Sequence, residues 1–337
     1  MNKYLKYFLS LIFVFFINFQ FIYTFDYQIS YHIKDIEKYI ETNNLFVFDI
    51  DQTILDSYVK NSDNHELEVN LNVVIKFMTK LAFKKYKSEF LQKVYDNNVS
   101  LFQRGSILKI FQKYIKKRVE DKVFNPQGQI YSKIFVKPVE KKMLELINKI
   151  KNLDIKILIF TARPWKSREI TLKQLDSLGI DITESGIYDQ EIVNRTAQKD
   201  SRFGYKDCVL FSMPSIFSDD KVNKGKILIA FFNAIDYKPI KKVIFVDDKK
   251  QNILSAMKSF KENDIKFEAI WYKACKTYVN FKLNNKNLNF LDSVWGENWR
   301  QIDLDIDAVV DHILNKLNKK LRYKKIKTQN FSNFVNI

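Results

Sequence analysis

The chain has 337 residues, of which 46% are hydrophobic and 28% charged, a composition typical of globular proteins and unlike that of disordered ones. Its formal charge of +17 favours anionic partners such as phosphate compounds, acidic membrane surfaces or nucleic acid. With 7 glycines and neither a G-x-G-x-x-G nor a Walker A pattern, the sequence excludes nucleotide sites that are built on those glycine-rich loops.

The N-terminal segment has the layout of a secretory signal peptide. Lys3 and Lys6 precede an apolar stretch from Tyr7 to about Phe25. No small-residue cleavage site follows, so an uncleaved membrane anchor and a buried N-terminal helix remain open as alternatives. We predict that residues 1–25 are a signal peptide or anchor. The protein is then exported to the periplasm or the extracellular space, or held at the membrane by its leader.

The first predicted element after the leader is a buried strand, which two acids follow. The run Leu45 to Phe48 is wholly apolar, a pattern typical of a parallel strand that is covered on both faces. Asp49 and Asp51 then stand two residues apart, where carboxylates repel each other unless a cation or a proton lies between them. An ordinary polar turn, Asp-Gln-Thr, explains this stretch alone equally well.

Residues 56–135 predict a mostly helical insertion with a basic outer face. Between Val74 and Lys122 the sequence has thirteen Lys or Arg and four Asp or Glu. The apolar residues recur at i, i+3, i+4, i+7 and i+8, which is typical of an amphipathic helix. These residues are Ile107, Ile110, Phe111, Tyr114 and Ile115.

Further buried strands alternate with helical patterns along the rest of the chain, which indicates an α/β fold with a parallel sheet. The predicted strands are Ile155–Phe160, which ends at Thr161, Lys242–Val246, which ends at Asp247 and Asp248, Phe267–Trp271, and a strand or hairpin at 208–217. The predicted helices begin at Pro138, end at Leu178 before Gly179, begin near Lys224, and bury Ile253, Leu254, Met257 and Phe260. A last amphipathic helix beyond residue 300 runs into the basic segment KKLRYKKIK.

Polar residues follow three of these strands. Because the carboxyl ends of parallel strands share one edge of a sheet, we expect the polar groups to converge there. The group comprises Asp49, Asp51, Thr161, Asp247 and Asp248, joined by Lys224 from a helix start. Carboxylates with a hydroxyl and an ammonium suit Mg²⁺ and a phosphate, because Mg²⁺ binds through a few carboxylates and phosphate oxygens.

Four segments, DIDQT, IFTAR, NKGKIL and IFVDDKKQN, resemble in order and spacing the motifs of the haloacid dehalogenase (HAD) superfamily. The resemblance implies a Rossmann-like parallel-sheet core with a helical cap inserted after the first motif. Asp51, with Thr53 beside it, is typical of the phosphatase-type members. The chain looks most like a group of exported bacterial HAD-like proteins of unknown function, a likeness that implies no substrate.

The resemblance also implies residue roles. Asp49 is the nucleophile that forms an aspartyl-phosphate, and Asp51 is the general acid and base. Thr161 and Lys224 bind the substrate phosphate, although Lys226 competes with Lys224 for that role. The Mg²⁺ ligands are Asp49, the backbone carbonyl of Asp51, and Asp247. Supporting residues are Thr53, Asp248 and Asn252, and Arg163 is expected to be a structural partner.

The domain organisation follows from these patterns. We predict an α/β core formed by residues 26–55 and 136–300, a helical cap at 56–135, and a C-terminal amphipathic helix with a basic tail at 301–337. Cys208 and Cys275 either pair or are two small core residues. The three histidines are scattered and have no fitting partner in sequence, so they predict no catalytic triad.

The leading functional hypothesis is an Mg²⁺-dependent phosphohydrolase of small phosphate esters. The alternative is a secreted interaction protein on the same scaffold with weak or no catalysis. The expected partner is a small phosphorylated substrate. Nucleic-acid binding is not expected, because no aromatic-interleaved RNA motif is present. Membrane contact through the N-terminal segment or the basic tail remains open.

Overall fold

The structure, a computed structural model, describes residues 27–97, 101–124, 130, 133–195, 201–213, 222–275 and 284–315. The predicted leader at 1–25 and the whole basic segment after residue 315 lie outside these residues. Within the part of the chain that is described, no helix combines the length and the apolarity that crossing a membrane requires.

The described residues form an α/β protein with a mostly parallel central sheet, which confirms the predicted fold class at that level. The strands are β1 (Gln28–Ser30), β2 (Asn44–Phe48), β3 (Leu55–Lys60), β4 (Glu66–Glu68), β5 (Phe135–Pro138), β6 (Lys156–Pro164), β7 (Ile192–Asn194), β8 (Phe203–Lys206), β9 (Val209–Ser212), β10 (Lys242–Asp247) and β11 (Phe267–Tyr272). The helices are α1 (Lys34–Glu37), α2 (Leu71–Asp96), α3 (Leu101–Val123), α4 (Lys142–Asn152), α5 (Arg168–Ser177), α6 (Lys224–Ala234), α7 (Lys250–Glu262), α8 (Asn285–Trp295) and α9 (306–315).

The central sheet has the strand order β1-β11-β10-β2-β6-β9-β8-β7. Strands β1, β11, β10, β2, β6 and β9 are parallel, and β8 runs antiparallel between β9 and β7. The chain builds outward from β2 through β6 to β9, and then crosses to the other side of β2 to form β10 and β11. Such a reversal between β2 and β10 opens a crevice at the carboxyl ends of the strands, where α/β sheets bind ligands.

Apolar residues of the central strands are buried on both faces of the sheet. Phe46 and Phe48 of β2 pack in a cluster with residues of α4 and α5. Leu45 and Val47, which point to the opposite face, pack with residues of α6 and α7. Burial of each such side chain contributes about 1.5–3 kcal/mol, which explains why β2 is apolar throughout.

Three local predictions need correction. Pro138 does not begin a helix: it is the last residue of β5 and pairs with Leu55, and α4 begins four residues later. The strand or hairpin predicted at 208–217 is present with narrower bounds, as β9 in an antiparallel hairpin with β8, whose turn residues Asp207 and Cys208 have φ of 47° and 63°; residues 214–217 lie outside the described residues. Strand β6 extends past Thr161 to Pro164, with a register shift between these two residues.

A small antiparallel sheet of order β4-β3-β5 follows the acidic turn after β2. The 56–135 segment is therefore mostly helical, as predicted, but it begins and ends in this sheet. Gln52, with φ of 67°, donates its backbone N–H to the Leu55 carbonyl at 2.8 Å. This hydrogen bond closes a tight turn over residues 52–55, where the chain leaves the central sheet and enters β3.

Helices α2 and α3 form a second hydrophobic cluster, which the C-terminal residues complete. Phe90 of α2 stacks on Phe111 of α3 with ring centroids 3.8 Å apart. Trp295 and Trp299, from the C-terminal part of the chain, are fully buried in the same cluster, together with residues of α9. Residues 285–313, which the sequence assigns partly to the core and partly to the tail, therefore pack on the insertion.

The helical cluster contacts the α/β core beside strand β6. Lys166, just after that strand, forms an ion pair with Asp121 of α3. Ile170 of α5 packs against the apolar side of the same cluster. The placement of the helical insertion as a cap over Asp49 stays a prediction.

Gly225 sets the distance between α6 and α7. A Cβ atom at this position would lie 2.2 Å from the backbone oxygen of Ser255 and 2.5 Å from the Ser259 hydroxyl oxygen. Since a backbone oxygen cannot rotate away, any larger residue forces the two helices apart. Gly105 of α3 is exposed, and a Cβ there would meet nothing within 4 Å.

We expect Gly225→Ala to lower the free energy of unfolding by about 1–3 kcal/mol through overpacking. The matched control, Gly105→Ala, should be neutral or should raise that free energy by up to about 1 kcal/mol, because alanine favours a helix more than glycine does. Urea denaturation of the two variants and the wild type measures both effects. A Gly225→Ala variant as stable as the wild type would contradict this close helix packing.

Candidate active site

The structure places the predicted polar residues at one edge of the central sheet. Asp49 follows β2, and its backbone N–H donates to the Val246 carbonyl of β10 at 2.9 Å. Asp247 is the last residue of β10, and Thr161 lies in β6 on the other side of β2. The side chains of three strands are therefore neighbours because the strands are parallel and in register.

A buried ammonium group lies at the centre of the site. Lys224 Nζ donates to Asp49 Oδ1 at 2.5 Å, to Asp247 Oδ2 at 2.8 Å and to the Phe160 carbonyl at 2.9 Å. Asn223 caps α6 by accepting the backbone N–H of Lys226, and Lys226 itself is exposed. Lys224, the first of the two lysines that compete for the predicted role, therefore contacts two of the acids.

Asp247 is the most completely bonded acid of the site. Both of its oxygens accept hydrogen bonds from Asn252 Nδ2, at 2.9 and 3.0 Å, and Oδ1 also accepts the backbone N–H of Lys249 at 2.8 Å. With Lys224 on Oδ2, these donors fix the direction of the carboxylate. Asn252, predicted as a supporting residue, thus contacts Asp247 from the first turn of α7.

Asp51 is held by an arginine rather than by a lysine. Arg163 Nε and Nη2 donate to its two carboxylate oxygens at 3.0 and 2.7 Å. The Arg163 side chain is 2% exposed, and its Nη1 donates to Thr171 Oγ1 at 3.1 Å and to Gln174 Oε1 at 2.7 Å. Because the planar guanidinium binds both oxygens and is itself held by Thr171 and Gln174, it fixes the orientation of the Asp51 carboxylate.

The two acids after β2 consequently differ in electrostatic environment. Burial raises the pKa of Asp49, and the neighbouring Lys224 ammonium opposes that rise. Burial acts in the same direction on Asp51, but the charge and the hydrogen bonds of Arg163 outweigh it and hold the pKa of Asp51 below its usual value. Asp51 is therefore the acid that stays ionised more readily.

Three carboxylates form a group that fits a divalent cation. One oxygen each of Asp49, Asp247 and Asp248 lies within 4.8 Å of the other two. Asp248 Oδ1 is buried and has no hydrogen-bond partner, and burial raises the pKa of Asp248 well above its usual value. Hard cations such as Mg²⁺ bind carboxylate oxygens, so such a cation would satisfy the orphaned oxygen.

This carboxylate group differs in one member from the predicted metal ligands. Asp248 stands with Asp49 and Asp247, although the sequence predicts only a supporting role for it. The Asp51 carboxylate contacts Arg163, so its predicted share in metal binding rests on its backbone carbonyl alone. Thr53 is buried, and its hydroxyl has no hydrogen-bond partner.

Lys249 is a site residue that is not among the predictions. Its ammonium lies 3.9 Å from Asp248 Oδ1, and its side chain is 36% exposed. Burial acts to lower the pKa of Lys249, but the charges of the four nearby acids outweigh it and raise that pKa. The sequence feature that could have identified Lys249 is its position directly after Asp247 and Asp248 and immediately before α7.

Arg163 and the two cysteines complete the comparison with the predictions. Arg163 is the structural partner that the sequence predicts, and its backbone N–H also donates to Thr161 Oγ1 at 3.0 Å. Cys208 and Cys275 do not form a disulfide. Cys208 is buried in the core, and Cys275 is partly exposed.

We expect Lys224→Met to destabilise the protein by about 3–5 kcal/mol, because it leaves Asp49 and Asp247 buried without their cation. The measurement is thermal and urea unfolding without divalent ions. Added Mg²⁺ should recover part of the loss by neutralising the same acids. Lys173→Met, which removes an exposed lysine from α5, should stay within about 0.5 kcal/mol of the wild type. Equal stability of the two variants would contradict this role of Lys224.

Comparison with known proteins identifies the family but no activity. The family described as "Protein of unknown function (DUF2608)" matches residues 103–303, more than half of the chain. The matched region contains Thr161, Lys224 and Asp247, whereas Asp49 and Asp51 lie before it.

A Chlamydia pneumoniae protein named "Putative outer membrane protein" is 27% identical to this chain over 150 residues. The alignment covers 44% of this chain and 52% of the relative, about half of its length. No solved structure matches the chain.

These findings correct the resemblance drawn from the four motifs. The family that matches is one of unknown function and not a family of the haloacid dehalogenase superfamily, so the predicted membership of that superfamily is wrong. The geometry of the site stands independently of that resemblance. With a match over more than half of its length, the chain belongs to the DUF2608 family of proteins of unknown function.

Proposed function

We propose that this protein is an Mg²⁺-dependent phosphohydrolase that acts on small phosphate esters through an aspartyl-phosphate on Asp49. The observation that carries the proposal is the group of neighbouring carboxylates of Asp49, Asp247 and Asp248, of which the buried Asp49 and Asp247 contact the Lys224 ammonium. A second acid, Asp51, lies two residues from the proposed nucleophile and has a different environment. Clusters of acids with opposed pKa shifts are more frequent at catalytic sites than elsewhere.

Asp49 has the surroundings of a carboxylate nucleophile. Lys224 holds its Oδ1 atom and favours the ionised form, which is the form that attacks phosphorus. Attack would form a bond between an Asp49 oxygen and phosphorus and break the bond between phosphorus and the ester oxygen, and the departing oxygen would take a proton from solvent water to become the alcohol. Water would then attack the phosphorus atom, release inorganic phosphate and restore Asp49.

Asp51 fits the second of these steps. Its carboxyl group is held ionised by Arg163, so it can accept a proton from the attacking water. Its predicted role as an acid, which would protonate the leaving alcohol, requires a proton that the Arg163 pair disfavours. The geometry therefore supports the base role, and the acid role would require this ion pair to open.

The residues that would hold Mg²⁺ are Asp49, Asp247 and Asp248. When bound, the ion would screen the charge of the carboxylates from the anionic substrate and polarise the phosphate. Lys224 and Asn252 would keep Asp247 oriented toward the ion. Asp248 Oδ1, which has no hydrogen-bond partner and only a 3.9 Å ion pair with Lys249, is the observation that favours a cation here over a purely structural cluster.

A second candidate function has one observation in its favour. The exposed fractions of Thr161 and Lys224 are both 0%, and that of Asp49 is 3%, so the acids and the lysine also resemble a self-neutralised core. A secreted interaction protein with weak or no catalysis would need no access to these groups. Turnover of phosphate esters separates the two functions.

We further propose that the protein is exported. The basic start and apolar core of residues 1–25 have the layout of a signal peptide. The name of the Chlamydia pneumoniae relative, an outer membrane protein, is consistent with export. Cell fractionation of the native host, with an antibody against the folded domain, tests this proposal.

We expect the wild type to hydrolyse members of a phosphate-ester panel with Mg²⁺ and to stop when the ion is removed by chelation. Asp49→Asn should reduce turnover by on the order of 10³-fold or more, because the amide is not a nucleophile. Asp176→Asn, an exposed substitution on α5, serves as the control. Near-normal turnover by Asp49→Asn would exclude the covalent mechanism. A wild type inactive on the whole panel would favour the interaction protein.

We expect Asp51→Asn to let phosphorylated Asp49 accumulate, because the amide cannot accept a proton from the attacking water. Intact-protein mass spectrometry after an acid quench would detect the added phosphoryl group. The Asp49→Asn/Asp51→Asn double variant should carry none. If Asp51→Asn turns over at the wild-type rate, its assignment as the base is wrong.

A further inference from the structure

Thr161 and Lys224, the two residues predicted to bind the substrate phosphate, are not accessible to solvent. Both are fully buried. An ammonium group has three N–H donors, and Lys224 uses three contacts, to Asp49, to Asp247 and to the Phe160 carbonyl. In this arrangement Lys224 has no donor left for a phosphate oxygen. A phosphate that approaches the carboxylates must therefore meet a different cation first.

Lys249 has the position and the donors for that role. Its backbone N–H bonds to Asp247 Oδ1 at 2.8 Å, which fixes the residue beside the carboxylate group. Its side chain is 36% exposed, whereas that of the adjacent Asp248 is 8% exposed. Nζ lies 3.9 Å from Asp248 Oδ1, which is an ion pair but is too long for a hydrogen bond. The ammonium donors therefore remain available at the boundary between the cluster and solvent.

The backbone around Lys249 adds to the positive potential. Lys249 is the N-cap residue of α7, a helix of 13 residues whose N-terminal end carries partial positive charge. A phosphate dianion approaching four acids needs such positive charge to offset their repulsion.

We propose that Lys249 is the residue that binds the phosphate group of the incoming substrate, at the solvent side of the carboxylates. This inference rests on the proposed function and names the contact that admits the anion. Lys224, in contrast, neutralises the acids inside the protein. Lys249 thus takes the phosphate-binding role that the sequence assigns to Lys224 together with Thr161.

The chain offers a matched control in the next residue. Lys250 carries the same charge, but its ammonium lies over aromatic rings, 5.2 Å from the ring centre of Tyr27 and 5.6 Å from that of Trp271. Removing its charge changes the net charge of the protein by the same amount. A difference between variants at positions 249 and 250 therefore reports position rather than total charge.

The test compares Lys249→Met, Lys249→Arg and Lys250→Met in the full chain, with Mg²⁺ present. Calorimetry measures the binding of inorganic phosphate, and steady-state kinetics measure hydrolysis of an aryl phosphate. We expect Lys249→Met to weaken phosphate binding and to raise KM by about tenfold to a hundredfold, the effect of losing one charge-assisted hydrogen bond. Lys249→Arg should retain most of the affinity, and Lys250→Met should match the wild type.

Each outcome decides a different point. Wild-type phosphate affinity and KM in Lys249→Met would overturn the assignment of Lys249 while leaving the hydrolase intact. Equal losses in the Lys249→Met and Lys250→Met variants would reduce the effect to overall charge and would also overturn it. A wild type that neither binds phosphate nor hydrolyses the ester would overturn the proposed function and this inference together. Melting temperatures exclude misfolding as the cause, and Lys249→Gln, which also removes the charge, replaces Lys249→Met if that variant does not fold.

Discussion

The Lys224 ammonium bridges carboxylates from two neighbouring strands in the interior of the protein, and the arrangement of the site depends on this contact. Asp49 and Asp247 end β2 and β10 side by side, and without a cation between them their charges would repel. A buried ion pair adds little to stability, since desolvation offsets most of the attraction. In the function that we propose, this ion pair and the Asp248 oxygen without a hydrogen-bond partner would serve to bind a cation.

Two acids separated by one residue have acquired opposite environments because different elements contact them. Lys224 reaches Asp49 from α6, and Arg163 reaches Asp51 from the end of β6, where Thr171 and Gln174 of α5 hold the guanidinium. Burial raises the pKa of Asp49, whereas Arg163 lowers that of Asp51. In enzymes, different environments often give two nearby carboxyl groups different pKa values, so that one can serve as the nucleophile and the other as the proton acceptor.

The helical cluster is assembled from distant parts of the chain. Tyr86 of α2 donates its hydroxyl to the Ile302 carbonyl at 2.8 Å, and Lys122 of α3 bonds to the carbonyls of Asn298 and Gln301. The insertion and the C-terminal residues therefore share one hydrophobic core, so neither buries its apolar face alone. The family match, residues 103–303, contains most of α3 together with α8 and Trp299, whereas α2 and α9 lie outside it.

The sequence by itself determined the strands that form the centre of the sheet and the acids that follow them. Continuous apolar runs and alternating helical patterns depend on local periodicity, which is why β2, β6 and β10 and the edge with Asp49, Thr161 and Asp247 could be predicted. Only the tertiary structure decided which partner each charged group meets. Arg163 reaches Asp51 across 112 positions, and the site position of Lys249 and the packing of residues 285–313 on α2 and α3 also required the fold. Such contacts depend on chain reversals and long-range packing, for which local periodicity carries no signal.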